Sequence, residues 1–412
     1  MAGPEVNLES KHDIIFSFAL FINQISRKTL ASHNSMRIAY TNVIFRKNST
    51  DAGGAHIRQF VTNAVERGYE LWVWEGERPP ATHPVPTTRV GRWRTLRRID
   101  VVYVRVEDRV PDSGRWAVAP YRQLIGSPLM VWEFNTVPEF GGLLGRSDKD
   151  VRSAIDAFRY YGRGCDLAIC VTSELAAYVR ERLGIRRVLV VPNGSDPDLF
   201  RPGLKPVNRL QRGEQQLNVV WIGSAYLSWN NFDLLRRAAE IIWERSGHSR
   251  IAFHIIGQDF RLMADMPPNV HYYGRQSYDA MPRWLAAMDV GLCLYRPGPA
   301  DFGSPVKLFD YMSSGLTVVG TFHPQIREIF NKLDQLDLLV PCDDPVALAD
   351  ALIKVARDPE RIRRQGHAGR QLVLEYYNWQ RAVRDTFREI EIIFEERNQV
   401  RARADLAINK HS

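Results

Sequence analysis

The segment GSPVKLFDYMSSG, residues 303–315, places a cation and a carboxylate near the start of an otherwise apolar helix. Ser304 is a favourable N-cap residue. Pro305 suits the first helical position, because its missing N–H would have no helical partner there. A helix start favours an anion through its unpaired N–H groups and its dipole. We expect the N–H groups of this site to be those of Val306, Lys307 and Leu308.

Lys307 adds a full positive charge to the predicted anion site. Asp310 follows three residues later and therefore lies on the same helix face. A carboxylate one turn below a phosphate site is placed to accept hydrogen bonds from sugar hydroxyls, so the pair predicts a ribose diphosphate ligand. The alternative is an exposed ion pair, which would stabilise the helix by only about 0.2–0.5 kcal/mol.

Short apolar runs alternate with amphipathic helices on both sides of a polar linker, residues 201–216. MRIAYTN (36–42) is typical of a buried strand, and the Gly53-Gly54 pair predicts a turn into the helix that follows. LNVVWIGS (217–224) starts the second series of strands. Nearly continuous apolar strands favour parallel sheets covered on both faces. Ligands of such sheets bind at the carboxyl ends of the strands.

The chain is thus predicted to be an α/β protein with two Rossmann-like parallel-sheet domains facing a cleft. Its 412 residues exceed one ordinary core, which also favours two domains. We divide it into an N-terminal extension without clear pattern (1–35), a first domain (36–203), a second domain (204–378) and a C-terminal helix that crosses back to the first domain (379–398).

Composition places the chain among globular proteins, with 45% hydrophobic and 25% charged residues. No run of 18 apolar residues predicts a transmembrane helix. The four cysteines form no CxxC pair, which favours a reducing, cytoplasmic setting. No zinc-ligand spacing or RNA-binding aromatic strand appears, so a nucleic-acid partner is not expected.

The net charge is +8, and residues 89–98 (RVGRWRTLRR) form the most basic run. The run could be a solvated loop, or it could meet an acidic acceptor or the anionic headgroups of a membrane's inner face. The five arginines concerned are Arg89, Arg92, Arg94, Arg97 and Arg98.

Three motifs, in their order and spacing, resemble those of glycosyltransferase family 4: DAGGAHIRQFVTNAVERGYEL (51–71), VVPNGSDPDLFRP (190–202) and SPVKLFDYMSSGLTVVGT (304–321). VVYVR (101–105) and EFN (133–135) recur in one branch of that family. The resemblance covers most of residues 36–395. It implies the GT-B fold and retaining transfer of a sugar from a UDP- or GDP-sugar to a glycan or lipid-linked acceptor in polysaccharide biosynthesis. It also implies that no cofactor and no obligatory metal take part.

The resemblance also implies roles for individual residues. The helix start would hold the donor's diphosphate, Asp310 its ribose, and the Gly53-Gly54 pair would lie near the donor phosphate or the acceptor. The donor-binding residues implied are Gly223, Ser224, Ser304, Pro305, Val306, Lys307, Leu308, Asp310, Asn193 and Gly194; those on the acceptor side are Gly53, Gly54, His56 and Arg105; and the catalytic candidates are Lys307, Glu133 and Asn135. Glu133 could instead pair with Arg105 as a structural bridge.

Several positions depart from the family pattern. Phe302 occupies the place of the first acid of the E-x7-E motif, with Asp301 one residue away. Ser224 and Asn230 stand where most members have the two phosphate-binding cations. Lys307 is the expected replacement, and Arg296 a second candidate. These losses leave two other functions open: a non-catalytic GT-B relative that binds a partner or glycan, and a nucleotide-sugar epimerase.

Overall fold

The computed structural model describes residues 36–45, 52–86, 88–207, 217–246, 250–258 and 266–409. The predicted extension 1–35 and most of the predicted linker lie outside these ranges. Two six-stranded sheets, each entirely parallel, form the centre of the molecule, as the apolar strands predict. No helix in the described ranges has both the length and the apolar character needed to cross a membrane.

The first sheet has strand order β2-β1-β3-β4-β5-β6 and helices on both faces. One apolar core, around Trp132 and Phe158, fills the space beneath one face, and a second, around Tyr103 and Phe387, fills the other. The elements are β1 (Arg37–Phe45), α1 (Ala52–Glu66), β2 (Glu70–Gly76), α2 (Arg89–Leu96), β3 (Val101–Val106), α3 (Tyr121–Leu124), β4 (Leu129–Phe134), α4 (Phe140–Leu143), α5 (Asp148–Tyr161), β5 (Leu167–Cys170), α6 (Ser173–Glu181) and β6 (Val188–Val190).

The second sheet has strand order β12-β11-β10-β7-β8-β9, and one continuous core includes its buried strand residues. Short 3₁₀ turns at 278–280, 299–302 and 336–338 separate some of its elements. The elements are β7 (Leu217–Ser224), α7 (Phe232–Ser246), β8 (Ile251–Gln258), β9 (Val270–Tyr272), α8 (Met281–Leu285), β10 (Val290–Cys293), α9 (Val306–Ser313), β11 (Thr317–Thr321), α10 (Pro324–Lys332), β12 (Leu339–Val340), α11 (Pro345–Ala356), α12 (Pro359–Glu375) and α13 (Trp379–Asn409).

The structure differs from the predicted elements at three places. The arginine-rich run forms a helix, α2, capped by the Thr88 side chain, which accepts the Gly91 N–H at 3.1 Å. The Gly53-Gly54 pair lies inside the first turn of α1 and not in a turn before it. Finally, α13 continues to Asn409, eleven residues beyond the predicted end.

The long helix α13 packs against the first sheet although it follows the second in sequence. Val383, Phe387 and Ile390 on α13 are buried in the same core as Ile57 and Phe60 of α1. The chain therefore passes between the domains twice, once after β6 and once after α12. The two crossings touch, because the Ser195 N–H donates to the Tyr377 carbonyl at 3.0 Å and the Trp379 N–H donates to the Ser195 carbonyl at 3.2 Å.

Candidate functional site

A cavity of about 800 Å³ lies between the carboxyl ends of the two sheets. Gly223, Gly257 and Tyr295 reach it from β7, β8 and the end of β10, whereas Arg105 and Asn135 reach it from β3 and β4. The general rule for parallel sheets therefore holds for both domains. The predicted residues that line the cavity are Gly53, His56, Arg105, Asn135, Asn193, Gly223, Ser224, Ser304, Pro305, Val306, Lys307 and Asp310.

Lys307 faces this cavity from the first turn of α9. Its ammonium lies 5.3 Å from the centroid of the Trp221 ring and 5.2 Å from that of Tyr295, within the range of cation–π attraction. Space for the ammonium depends on Gly223, because a Cβ there would lie 3.2 Å from Lys307 Nζ and 2.9 Å from the Trp221 ring. Two aromatic faces thus hold the cation without neutralising it.

The charge of Lys307 has no anionic partner among the residues that the structure describes, where Lys307 makes neither a hydrogen bond nor an ion pair. Burial lowers the pKa of Lys307 to about 8, because water and counter-charge are scarce around the ammonium. An anionic ligand at this position would gain a strong electrostatic contact and would raise the pKa again.

The start of α9 differs from the sequence prediction. The helix begins at Val306, and Pro305, not Ser304, takes the N-cap position. Ser304 instead joins the domains: its Oγ accepts the Asn193 N–H at 3.2 Å, and its carbonyl accepts the Asn193 side-chain amide at 2.8 Å. The Leu308 N–H donates to the Pro305 carbonyl, and the Leu308 side chain is fully buried. Leu308 was predicted to bind the donor, but it does not line the cavity.

Asp310 lies one turn further along α9 and lines the same cavity. Its carboxylate is 6% exposed and accepts the Ser195 hydroxyl at 2.6 Å. Burial raises the pKa of Asp310 to about 8, opposed by the Ser195 hydrogen bond and reinforced by nearby Asp196. Tyr311 fixes this part of α9, because its hydroxyl accepts the Ile222 N–H and its ring fills the space beside Gly291.

On the first-domain wall, Glu133 is the centre of a buried hydrogen-bond network. Glu133 and Arg105 are register partners on β4 and β3, and Arg105 Nη1 lies 2.5 Å from Glu133 Oε1. The same oxygen accepts the Asn135 amide at 2.6 Å and lies 3.3 Å from His56 Nε2. Tyr40 donates its hydroxyl to the other oxygen at 3.4 Å.

Glu133 is therefore the structural bridge that the sequence left as the alternative to a catalytic role. It is 1% exposed and does not line the cavity, so it orients Arg105, His56 and Asn135, which do. Burial by itself would raise the pKa of Glu133, but the charges of His56 and Arg105 and the hydrogen bonds from His56 and Asn135 hold it well below the usual range.

His56 has a polar atom left over. Its Nε2 faces Glu133, while its Nδ1 is buried and has no hydrogen-bond partner in the described chain. The ring packs against Trp379 at a centroid distance of 5.0 Å. The Glu133 carboxylate therefore fixes this ring at the edge of the cavity.

Other predicted site residues lie elsewhere. A Cβ at Gly194 would lie 2.7 Å from the Asn378 backbone, so Gly194 permits the close crossing of the two interdomain segments and does not reach the cavity. Gly54 does not line the cavity either. Arg296 is exposed and does not line the cavity in this structure.

The segment before α9 contains Phe302 and Asp301, at and beside the position where the family motif has its first acid. Phe302 turns into the first domain, where its ring meets Tyr178 at 5.4 Å and its carbonyl accepts the Thr172 hydroxyl at 2.9 Å. Asp301 caps its own 3₁₀ turn by accepting the Gly298 N–H at 2.9 Å. Neither side chain lines the cavity, so Asp301 does not replace the acid in this arrangement.

Several cavity residues were not singled out from the sequence. Arg275 and Gln276 follow β9, His323 follows β11, and Asp108 and Glu107 follow β3. All stand just after a strand, so the carboxyl-end rule could have found them. The described residues contain no group of three His, Cys, Asp or Glu side chains close enough to hold a metal ion.

The comparisons with known proteins agree with this arrangement. Residues 216–358 match the family model described as Glycosyl transferases group 1, which spans most of the second sheet and includes α9. No curated protein sequence matches the chain.

Solved structures resemble the whole two-domain arrangement. Sucrose-phosphate synthase from Thermosynechococcus elongatus superposes with a TM-score of 0.63 at 14% identity, over 88% of this chain and 100% of that one. Trehalose 6-phosphate synthase from Burkholderia multivorans gives 0.60 at 15% identity, over 91% and 98%. HepE from Anabaena, in complex with UDP-glucose, gives 0.60 at 13% identity, over 86% and 99%. The chain has the GT-B fold, as predicted.

Proposed function

We propose that the protein is a retaining glycosyltransferase that moves a sugar from a UDP- or GDP-sugar to an acceptor hydroxyl. The observation that carries the proposal is Lys307, a half-buried cation without a described counter-ion at the start of α9, with Asp310 one turn away in the same cavity. The group 1 family match covers this helix. The second domain would hold the nucleotide sugar, and the first domain would hold the acceptor.

In this mechanism the chain's own groups stabilise the departing diphosphate. The Lys307 ammonium and the backbone N–H groups at the helix start would take up the negative charge that develops as the sugar–phosphate bond breaks. No metal ion is needed for this step in our proposal, because Lys307 supplies the cation. Asp310 would accept hydrogen bonds from the ribose hydroxyls of the nucleotide.

The acceptor hydroxyl would attack from the face that the diphosphate leaves. Its proton would pass to an oxygen of the departing phosphate, so the anomeric configuration is kept and no strong protein base is required. Arg105, His56 and Asn135, held by Glu133, would orient the sugar and acceptor hydroxyls from the opposite wall. Closure of the cleft around them would limit hydrolysis of the donor.

The acceptor that we propose is a glycan or lipid-linked glycan of polysaccharide biosynthesis. Leu144 and Tyr226, one from each domain, line the cavity and are more than half exposed, so its opening offers apolar surface beside the polar floor. Such a surface suits an acceptor with an apolar part, although a soluble glycan would also fit beside the polar groups.

A panel of UDP-, GDP- and ADP-sugars tests the proposal. We expect one or two donors to bind, and to release nucleotide slowly by hydrolysis in the absence of acceptor. Recovery of a nucleotide sugar with an inverted ring carbon would instead identify an epimerase. Absence of binding to every donor would contradict the proposal and favour a non-catalytic relative. Lys307→Ala should lose donor binding or turnover in the same panel. Lys354→Ala, at an exposed lysine in the second domain, is its control for nonspecific loss of positive charge.

A further inference from the structure

A surface on the first domain combines unpaired arginines with exposed apolar side chains. It is formed by α2, the two residues after it, and α3, and we call it the arginine–tryptophan surface. The residues that define it are the five arginines Arg89, Arg92, Arg94, Arg97 and Arg98, and the four apolar or aromatic residues Val90, Trp93, Tyr121 and Leu124.

The apolar residues of this surface form one patch. Val90 and Trp93 are three residues apart on α2, and Tyr121 and Leu124 are three apart on α3, so each pair shares a helix face. The Trp93 indole N–H donates to the Leu124 carbonyl at 3.1 Å and joins the two pairs. Val90 is 60% exposed and Leu124 54% exposed, so both pairs present apolar area to solvent.

The arginines around this patch carry no counter-charge. All five are exposed, and none forms an ion pair with a described carboxylate. The nearest sequence contains none either, because segments 79–99 and 113–132 have no Asp or Glu. Arg97 lies over the Trp93 ring at 5.0 Å, and Arg92 donates to the Pro86 carbonyl, so two of the five are held in place.

We propose that the arginine–tryptophan surface binds an anionic lipid bilayer. Arginines would contact the headgroups, and Trp93, Val90 and Leu124 would enter the boundary between headgroups and acyl chains, where exposed apolar side chains beside basic residues are favoured. A nucleic acid would satisfy the arginines but would leave the aliphatic patch in water. The combination of charge and apolar area therefore favours lipid.

The sequence alone indicates the positive charge of this surface but not its apolar patch. The basic run was consistent with a solvated loop, and only the folded arrangement brings Leu124 and Tyr121 beside Trp93. Leu96, three residues after Trp93 on α2, is buried with Ile99 and Ile125 in the domain core. The helix is thereby fixed to the protein, with its arginines and Trp93 outward.

Flotation of the full-length protein with vesicles tests this proposal. We expect binding to vesicles of phosphatidylcholine mixed with phosphatidylglycerol, weakened by salt, and little binding to phosphatidylcholine alone. Arg89→Ala combined with Arg94→Ala and Arg98→Ala should lower partitioning by more than tenfold, since each charge near such a surface contributes about fivefold. Val90→Ser with Leu124→Ser, which keeps every charge, should lower binding several-fold and leave the melting temperature unchanged.

Matched variants in the second domain test whether vesicle binding depends on this surface or only on the total number of exposed arginines and aliphatic side chains. Arg327→Ala combined with Arg357→Ala and Arg364→Ala removes three exposed arginines, and Val346→Ser with Leu374→Ser removes exposed aliphatic groups. Both should bind vesicles like the wild type. The proposal is overturned if these controls lose as much binding as the surface variants. It is also overturned if the aliphatic variant binds normally, or if the wild type binds an RNA or DNA duplex through these arginines and ignores vesicles.

Discussion

The ionisable side chains on the two walls of the cleft differ in how they are paired. On the second-domain wall, Lys307 lies between two aromatic rings without an anionic partner, and Asp310 is buried with one hydroxyl donor. On the first-domain wall, Glu133, Arg105, His56 and Asn135 are bonded to one another. One wall has ionisable groups with capacity left for a ligand, and the other has charges already paired inside the protein.

This difference indicates what each wall contributes. A buried charge without a partner costs folding free energy, so its presence in a cleft indicates a ligand that supplies the missing charge. A buried network whose members satisfy one another fixes geometry and holds its outer groups still. We therefore expect substitutions in Glu133 to affect mainly stability, and substitutions in Lys307 to affect mainly turnover.

The largest expected effect is on the paired wall. Glu133→Ala should lower the free energy of unfolding by about 3–5 kcal/mol, because it leaves the buried Arg105 charge without its carboxylate. Urea denaturation of the unliganded protein measures it. Glu66→Ala removes an exposed carboxylate on α1 of the same domain and should change stability by less than about 0.5 kcal/mol. Equal stability of the two variants would contradict the mutual pairing.

On the other wall, Asp310→Asn should stabilise the empty protein at pH 7, by up to about 4 kcal/mol. Burial raises the pKa of Asp310 from 3.8 to about 8, so above pH 4 the unfolded chain loses a proton that the folded chain keeps. The wild type should therefore lose stability from about pH 4 to pH 8, and then no further from this group. The asparagine variant should lack that loss.

Denaturation curves across this pH range, for both proteins, measure the difference. Asp279→Asn, at an exposed carboxylate beside the cleft, is the control and should follow the wild type. A constant gap between wild type and Asp310→Asn from pH 4 to pH 8 would show that the carboxyl is not the titrating group. The asparagine variant should nevertheless bind nucleotide more weakly than the wild type.

Lys307→Ala should lower turnover by roughly 10²–10³-fold, because it removes one preorganised group that stabilises the leaving diphosphate. Steady-state rates with the donor found in the panel measure this effect. Lys354→Ala should turn over like the wild type. A loss smaller than about threefold, on the scale of that principle, would mean that Lys307 is not the main phosphate cation.

The smallest expected effect is a pH dependence of nucleotide binding. With the pKa of Lys307 at about 8 in the empty site, affinity for a nucleoside diphosphate should fall above pH 8, by at most about tenfold per pH unit. Calorimetry in the Asp310→Asn background isolates this ammonium from the nearby carboxyl. Adding Lys307→Arg should flatten the curve, because guanidinium stays charged throughout. Persistence of the fall in the arginine variant would assign it to another group.

Much of the fold was predictable because its signals are local. The strands are apolar runs of two to nine residues, and β7 occupies 217–224 as predicted. Helix α2 was missed because Gly91 and five arginines made the run resemble a loop. Thr88, an N-cap residue immediately before the helix, was the available signal.

The site was less predictable because its geometry depends on contacts between distant residues. Lys307 and Asp310 were predicted from their positions at a helix start, whereas Gly223 was implied by the family resemblance. Ser304 was expected to cap α9, but the hydrogen bonds from Asn193, more than a hundred residues earlier, determine its position. The role of Glu133 likewise depends on the register that places it beside Arg105, which the sequence does not specify.

The paired interdomain crossings have a mechanical consequence. Ser195 and Asn378 form an isolated parallel bridge, so the two segments that join the domains form one short ribbon rather than two separate linkers. Two separate linkers would each bend independently, whereas a paired ribbon acts as a single hinge axis. Relative motion of the domains would then be a rotation about that hinge axis. Ser195, which also donates to Asp310, lies on this ribbon, so the Asp310 carboxylate would move little as the cleft opens or closes.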